Sequence, residues 1–345
     1  MRFFSAAALV VLGVFWPLQQ ALADQIAGVQ FLSIPSPARS KPLDVTIWYP
    51  ASDGSHPILV GDDILFKGTE AFMNAPVQSG RHPLIVLSHG SGGSVIGLAW
   101  IATALAKAGY VVAGPDHPGT TRGNSTPIET TMLWQRTNDL SVLLDNLTTT
   151  SKWSDSINVG EIGVLGFSLG GHTALSIGGG QVRRNDYADY CDQFKTMPDC
   201  VWFASGHVNL RSIDKELFEQ SNRDDRIQSV VAIDPSVIRA FTATSLKNIQ
   251  IPVDVINLGT TDTIPVAVEA SAVVGQIPHG SRETVPDAVH FTFLPECQPD
   301  GHEILKKFGE TDLLCDDGGG RSRSAIHAQL IDMITKAFDR TLKAQ

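Results

Sequence analysis

The sequence predicts an α/β architecture, with a mostly parallel central sheet, helices on both faces and an inserted lid-like segment. Three observations lead there. Leu84 to Ser88 and Ile162 to Leu165 are short, wholly or mainly apolar runs of the kind that form strands buried on both faces of a parallel sheet. Between such runs lie stretches whose apolar residues recur at helical spacing. Gly166-Phe167-Ser168-Leu169-Gly170, a GxSxG pentapeptide, closes the second run, where a strand that turns sharply into a helix lifts a serine above the sheet. Its glycines carry no Cβ, so the turn can close and the helix can pack on the strand.

Met1-Arg2, the apolar stretch Phe3 to Leu18 and the small residues Ala21-Leu22-Ala23 predict a secretory signal over 1–23, cut after Ala23, ahead of a single domain over 24–345. The competing reading, an uncleaved anchor, is weakened by Gln19 and Gln20, which break the run. No cysteine lies at the cut, so lipid attachment there is not expected.

Leu43 to Tyr49 alternates and predicts an early strand ending at Pro50, followed by a polar stretch from Ala51 to Gly80. After the strand at Leu84, the residues Leu98, Ile101, Ala102, Leu105 and Ala106 form a helical stripe that Gly109 ends, and Tyr110 to Ala113 is the next strand. Leu133, Leu140, Leu143, Leu144 and Leu147 mark a second helix before the strand that leads to Ser168, and Ala174 to Ile177 continues the helix beyond it. The pattern then fails over about 179–226, an insertion that reads as a lid or substrate wall on one view and as a solvated excursion on the other. Strands resume at Val230 to Ile233 and Val253 to Leu258, and Ile326, Leu330, Ile334 and Phe338 lie on a closing amphipathic helix.

Among 345 residues, 43% are hydrophobic and the formal net charge is -10, with basic residues scattered. That balance argues against nucleic acid or an anionic membrane as partner and leaves a small molecule. Four cysteines suit an oxidising compartment; Cys191 with Cys200 and Cys297 with Cys315 each bracket a short polar loop and are the expected pairs, four free thiols being the alternative. No cysteine or histidine cluster has zinc spacing, so neither a metal nor a cofactor is called for.

A serine nucleophile needs a base, an orienting acid and an oxyanion site. His290, in Ala288-Val289-His290-Phe291, stands after the last strand and after the candidate acids, as the base should. His89 and His117 precede the serine, His302 lies in a polar stretch and His327 on the closing helix. For the acid, Asp262 follows the strand Val253 to Leu258 by a short loop and is preferred to Asp234, which ends the preceding strand. His89-Gly90-Ser91-Gly92-Gly93 is an HGGG-type loop, so the backbone amides of Ser91 and Leu169 are the expected oxyanion donors.

These motifs, with Ile47-Trp48-Tyr49-Pro50, Asp116-His117-Pro118-Gly119, the helix from Arg136 to Leu147 and Cys297 downstream of His290, resemble the α/β-hydrolase superfamily. Within it the chain is similar to secreted bacterial proteins labelled predicted dienelactone hydrolases, which also look like platelet-activating-factor acetylhydrolases. The resemblance implies Ser168 as nucleophile, His290 as base and the amides of Ser91 and Leu169 as donors, in a secreted or periplasmic serine esterase. It leaves the acid open: the acetylhydrolase-like pattern puts it at Asp234, the cutinase-like pattern at Asp262. Authentic dienelactone hydrolases use a cysteine nucleophile, whereas this elbow holds serine, so lactone hydrolysis does not follow from the label. The same triad serves amide bonds, and the fold also occurs as a catalytically silent binding module.

Overall fold

The computed structural model describes residues 26–150 and 152–343; the expected signal segment lies outside them. Twelve strands are present among the described residues: β1 (Ile26–Ile34), β2 (Leu43–Ala51), β3 (Pro57–Val60), β4 (Thr69–Met73), β5 (His82–Ser88), β6 (Val111–Pro115), β7 (Thr120–Thr121), β8 (Asn124–Ser125), β9 (Ile157–Phe167), β10 (Ser229–Ile233), β11 (Val253–Leu258) and β12 (Gly280–Val285). Ten of them form one sheet in the order β12-β11-β10-β9-β5-β6-β2-β1-β4-β3. From β6 through β12 every neighbouring pair is parallel, while β2 meets both β6 and β1 antiparallel.

Each face of the sheet has its own core. Leu140, Leu143 and Leu144 of the helix Leu133–Asp145 and Leu175 of the helix Leu169–Ile177 pack on one side. On the other, Ile101 and Leu105 of the helix Ala99–Lys107 share a core with Leu330, Ile334 and Phe338 of the long closing helix Arg323–Leu342. The central strands β5, β6, β10 and β11 are buried along their whole length, so their apolar runs were readable from sequence.

The edges depart from expectation. The stretch read as polar, Ala51 to Gly80, contains β3 and β4, and Gly280–Val285 (GSRETV) forms the far edge strand β12. β4 and β12 carry polar and charged residues, so no apolar run announces them, while the four-residue apolar run of β3 is short and mostly exposed at the sheet's edge.

The insertion is neither featureless nor simply solvated. Helices Arg184–Gln193, Pro198–Ser205 and Lys215–Glu219 enclose the buried rings of Tyr187, Tyr190, Phe203 and Phe218. Both tyrosine hydroxyls donate to Asp199, and Cys191 is bonded to Cys200 across the first two helices. Trp202 Nε1 donates to Thr130 Oγ1 at 3.1 Å, which ties this unit to the main body. The second expected bridge, Cys297 to Cys315, is also present.

Candidate active site

β9 delivers Ser168 at its carboxyl end, between Phe167 and the helix Leu169–Ile177. Ser168 has φ 54° and ψ −116°, a positive-φ conformation that costs a non-glycine residue on the order of 1–3 kcal/mol and persists only where the surroundings impose it. Two glycines make it possible. A Cβ at Gly166 would stand 1.9 Å from the Gly170 carbonyl oxygen, and one at Gly170 would stand 1.8 Å from the Ser88 carbonyl oxygen. The helix therefore lies directly against both its own strand and the end of β5.

Parallel pairing of β10 with β9 sets Ile233 beside Phe167, so Asp234 emerges next to Ser168. The Ser168 amide donates to the Ile233 carbonyl at 2.9 Å, and the Ser236 amide donates back to the Ser168 carbonyl at 3.0 Å. His290 comes from the other direction. It opens the 3-10 turn His290–Phe293 after β12, and that turn folds back over the sheet. Its ring lies 4.9 Å from that of Phe167, and Phe293 stacks on Phe167 at 4.9 Å. Trp100 Nε1 donates to the Phe293 carbonyl and His327 Nε2 to the Thr292 carbonyl, at 3.1 and 2.8 Å.

The outcome is a continuous chain: His290 Nε2 lies 3.1 Å from Ser168 Oγ, and His290 Nδ1 lies 3.0 Å from Asp234 Oδ2. Asp234 is fully buried, and its Oδ1 accepts from Asn257 Nδ2 and from the Leu258 amide, each at 2.9 Å. A carboxylate whose other oxygen is held by two donors presents one fixed oxygen to the imidazole.

The preference for Asp262 is corrected by this geometry. Asp262 is exposed on a turn closed by Thr260 and Thr263, beyond β11, which is one strand further from β9 than β10 is. Strand adjacency puts Asp234, and not Asp262, within reach of His290, and adjacency is a property of the folded sheet.

Leu169 opens its helix, so its amide has no intrahelical acceptor, and the helix dipole favours negative charge there. Gly90 approaches closely: a Cβ on it would be 3.3 Å from Ser168 Cβ, which brings the loop bearing Ser91 alongside the serine. Of the other histidines, His302 is exposed, His327 is buried and stacked on Trp100 at 3.7 Å, and His89 and His117 are buried below the Ser91 loop. Burial pushes His89 and His117 well below the usual imidazole range, and the Arg136 guanidinium adds to that, so both rings are neutral.

A cavity of about 710 Å³ adjoins His290, with Leu258, Pro265, Val289, Phe291, Asp312 and Leu313 among its walls. Its lining comes from the end of β11, from the segments that follow β11 and β12 and from residues within 311–319, on either side of Cys315, and the 179–226 insertion contributes none of it. Among the described residues no group of three or more histidine, cysteine or acidic side chains is arranged to hold a metal ion, and no helix is long and apolar enough to cross a membrane.

Two residues that bear on the site escaped the sequence reading of roles. Asn257 lies at the end of an apolar strand, where a buried amide is itself a signal. Arg136 falls on the buried stripe of the helix Leu133–Asp145, where a charge is out of place unless paired.

The model of the dienelactone hydrolase family matches residues 69–186, a stretch that includes the Ser91 loop and Ser168 and ends before Asp234 and His290. Comparison with curated proteins found no match. Among solved structures, the chain is similar to a ferulic acid esterase from Streptomyces cinnamoneus, with 20% identity, a TM-score of 0.64, and 94% of this chain and 92% of that one covered. It is also similar to a protein named m3DLH, with 13% identity, a TM-score of 0.52 and coverage of 92% and 99%. The chain has the α/β-hydrolase fold, and the family match supports a hydrolase.

Proposed function

We propose that this protein is a serine esterase that cleaves carboxylic esters through Ser168, His290 and Asp234. The observation that carries this reading is the unbroken hydrogen-bonded chain from Ser168 Oγ through His290 to a buried Asp234, with Ser168 held in the strained elbow conformation.

In the reaction, His290 Nε2 takes the Ser168 proton as Oγ attacks the ester carbonyl carbon. The carbonyl oxygen becomes an oxyanion on the amides of Ser91 and Leu169, and Asp234 stabilises the imidazolium. The tetrahedral intermediate collapses as His290 protonates the leaving alcohol. Water, deprotonated by the same imidazole, then attacks the acyl-enzyme, and release of the acid restores Ser168. The cavity beside His290 is the space for one arm of the ester. Two disulfides support a working place outside the reducing cytosol, in the periplasm or beyond the cell.

The test is turnover of p-nitrophenyl acetate and butyrate and of methyl ferulate, with matched anilides alongside. Hydrolysis of an ester that Ser168→Ala abolishes, together with fluorophosphonate labelling of the wild type only, is the expected result. Undiminished turnover by Ser168→Ala overturns the assignment, and faster cleavage of the anilides replaces esterase by amidase.

A further inference from the structure

Beneath the Ser91 loop lies a cluster of ionisable side chains that the reaction does not use. Ser88 Oγ is 3.0 Å from His117 Nε2, and His117 Nδ1 is 2.9 Å from Asp139 Oδ2. The arrangement copies a Ser-His-Asp triad, yet all three residues are fully buried, so no substrate reaches Ser88. Arg39 donates to both oxygens of Asp139, at 2.8 and 2.6 Å, and so balances that carboxylate. With both histidines neutral, Arg136 is the cation of the cluster that no carboxylate touches.

Arg136 is 1% exposed and spends its donors on three different segments. One terminal nitrogen donates to Ser88 Oγ at 3.1 Å and to the His89 carbonyl, two residues before Ser91. The other donates to Thr120 Oγ1; the Thr120 carbonyl in turn accepts from the Gly92 amide at 2.8 Å, one residue after Ser91. Nε donates at 3.1 Å to Thr173 Oγ1, which donates at 3.0 Å to the Leu169 carbonyl. The guanidinium thus holds the loop on both sides of Ser91 and the first turn of the helix that begins with Leu169.

We propose that Arg136 is the positioning residue of the oxyanion site: it fixes the spacing between the Ser91 and Leu169 amides and places a buried guanidinium, hydrogen-bonded to no carboxylate, beneath them. The inference rests on the esterase reading above. A planar fork can reach three directions at once, which an ammonium cannot, so charge and geometry are separable by substitution. Preorganised donors act on the charge that develops in the transition state and leave ground-state binding largely untouched.

The experiment compares Arg136→Met, Arg136→Lys and Thr173→Val with wild type on p-nitrophenyl butyrate, and measures inhibition by an alkyl trifluoromethyl ketone. Ser168 Oγ adds to that ketone's carbonyl, its proton passes to His290, and the resulting oxyanion occupies the same amides. The expected result is a fall in kcat of about 100-fold for Arg136→Met with KM changed less than about threefold, and a parallel loss of ketone affinity. Arg136→Lys recovers part of the loss. Thr173→Val, which is isosteric and cuts one arm only, lowers kcat by about fivefold at unchanged KM.

Folded Arg136→Met with kcat and ketone affinity within about threefold of wild type, or with its loss in KM alone, overturns the inference. Should that variant not fold, Thr173→Val decides, and unchanged kcat counts against Arg136. Wild-type protein that neither cleaves an ester nor binds the ketone sinks the reading of the site and this inference with it, whereas active wild type with unaffected variants sinks the inference alone.

Discussion

Asp234 Oδ2 lies 3.0 Å from His290 Nδ1, although 56 residues separate the two in the chain. Asp234 is brought there by β10, the parallel neighbour of the strand that ends in Ser168, and it takes a positive φ of 41° as it leaves the sheet. His290 arrives from beyond β12 at the sheet's edge and is seated on Phe167. Asp234 therefore comes from beside Ser168, and His290 from beyond the sheet's edge strand.

Asp234→Asn is expected to lower kcat by about 10⁴-fold while the protein stays folded, because the amide holds the imidazole in the wrong tautomer and cannot stabilise the imidazolium. Asp262→Asn, on its exposed turn, is expected to stay within about twofold of wild type. Steady-state rates of the two variants decide between the carboxylates, and a large loss confined to Asp262→Asn overturns the geometric assignment.

Asn257 governs the same carboxylate from behind. Its amide donates at 2.9 Å to Asp234 Oδ1 and at 2.8 Å to the Val268 carbonyl, and its own oxygen accepts from Arg282 Nε at 2.8 Å. Asn257→Leu removes a charge-assisted bond and is expected to lower kcat by roughly 10- to 100-fold. Folded Asn257→Leu with kcat within about threefold of wild type counts against this role.

How much of this was legible varies with the kind of information each residue carries. Ser168 was legible because its motif, its apolar strand and its helix are local in sequence. Asp234 and Asp262 both follow apolar strands, and only the order β9-β10-β11 separates them; pairing between distant strands leaves no mark on either run. The edge strands β3 and β12, and β4 beside β3, escaped because they are short and much of their surface faces solvent. The insertion read equally as a lid and as a solvated excursion because its core includes tyrosines whose hydroxyls share Asp199, a polar composition wrapped round an aromatic centre.

Acid should loosen the seat of His290. Burial pulls His327 down to about 4, and the neutral ring donates to the Thr292 carbonyl in the turn that carries His290. Unfolded, the ring titrates near its ordinary 6.5, so between about 6.5 and 4 the unfolded chain binds the extra proton. Stability from this residue is complete above that window and is lost as pH falls through it. His172, pulled down to about 3 by burial, acts with the same sign. Urea unfolding at pH 7 and pH 5 is expected to show the free-energy gap between wild type and His327→Gln narrowing by roughly 2 kcal/mol on acidification. A gap that does not change with pH removes His327 as the source.

The two disulfides should prove unequal in function. Cys297 and Cys315 close a loop of sequence separation 18 whose residues Asp312 and Leu313 wall the cavity beside His290, with Cys315 itself in the wall. Replacing both by serine is expected to cost about 3 kcal/mol of stability, because the open chain regains loop entropy when unfolded. It should also raise KM, since the wall is no longer pinned. His290 keeps its own supports, Phe167, Asp234 and the bonds from Trp100 and His327, none of which passes through the bridge, so kcat should hold. Cys191 and Cys200 lie in the insertion, which contributes nothing to that wall; their removal should lower stability and leave KM for small esters unchanged. Thermal melts with Michaelis–Menten analysis of both double variants separate the cases, and a KM that rises only when the Cys191 pair is removed would place the substrate against the insertion instead.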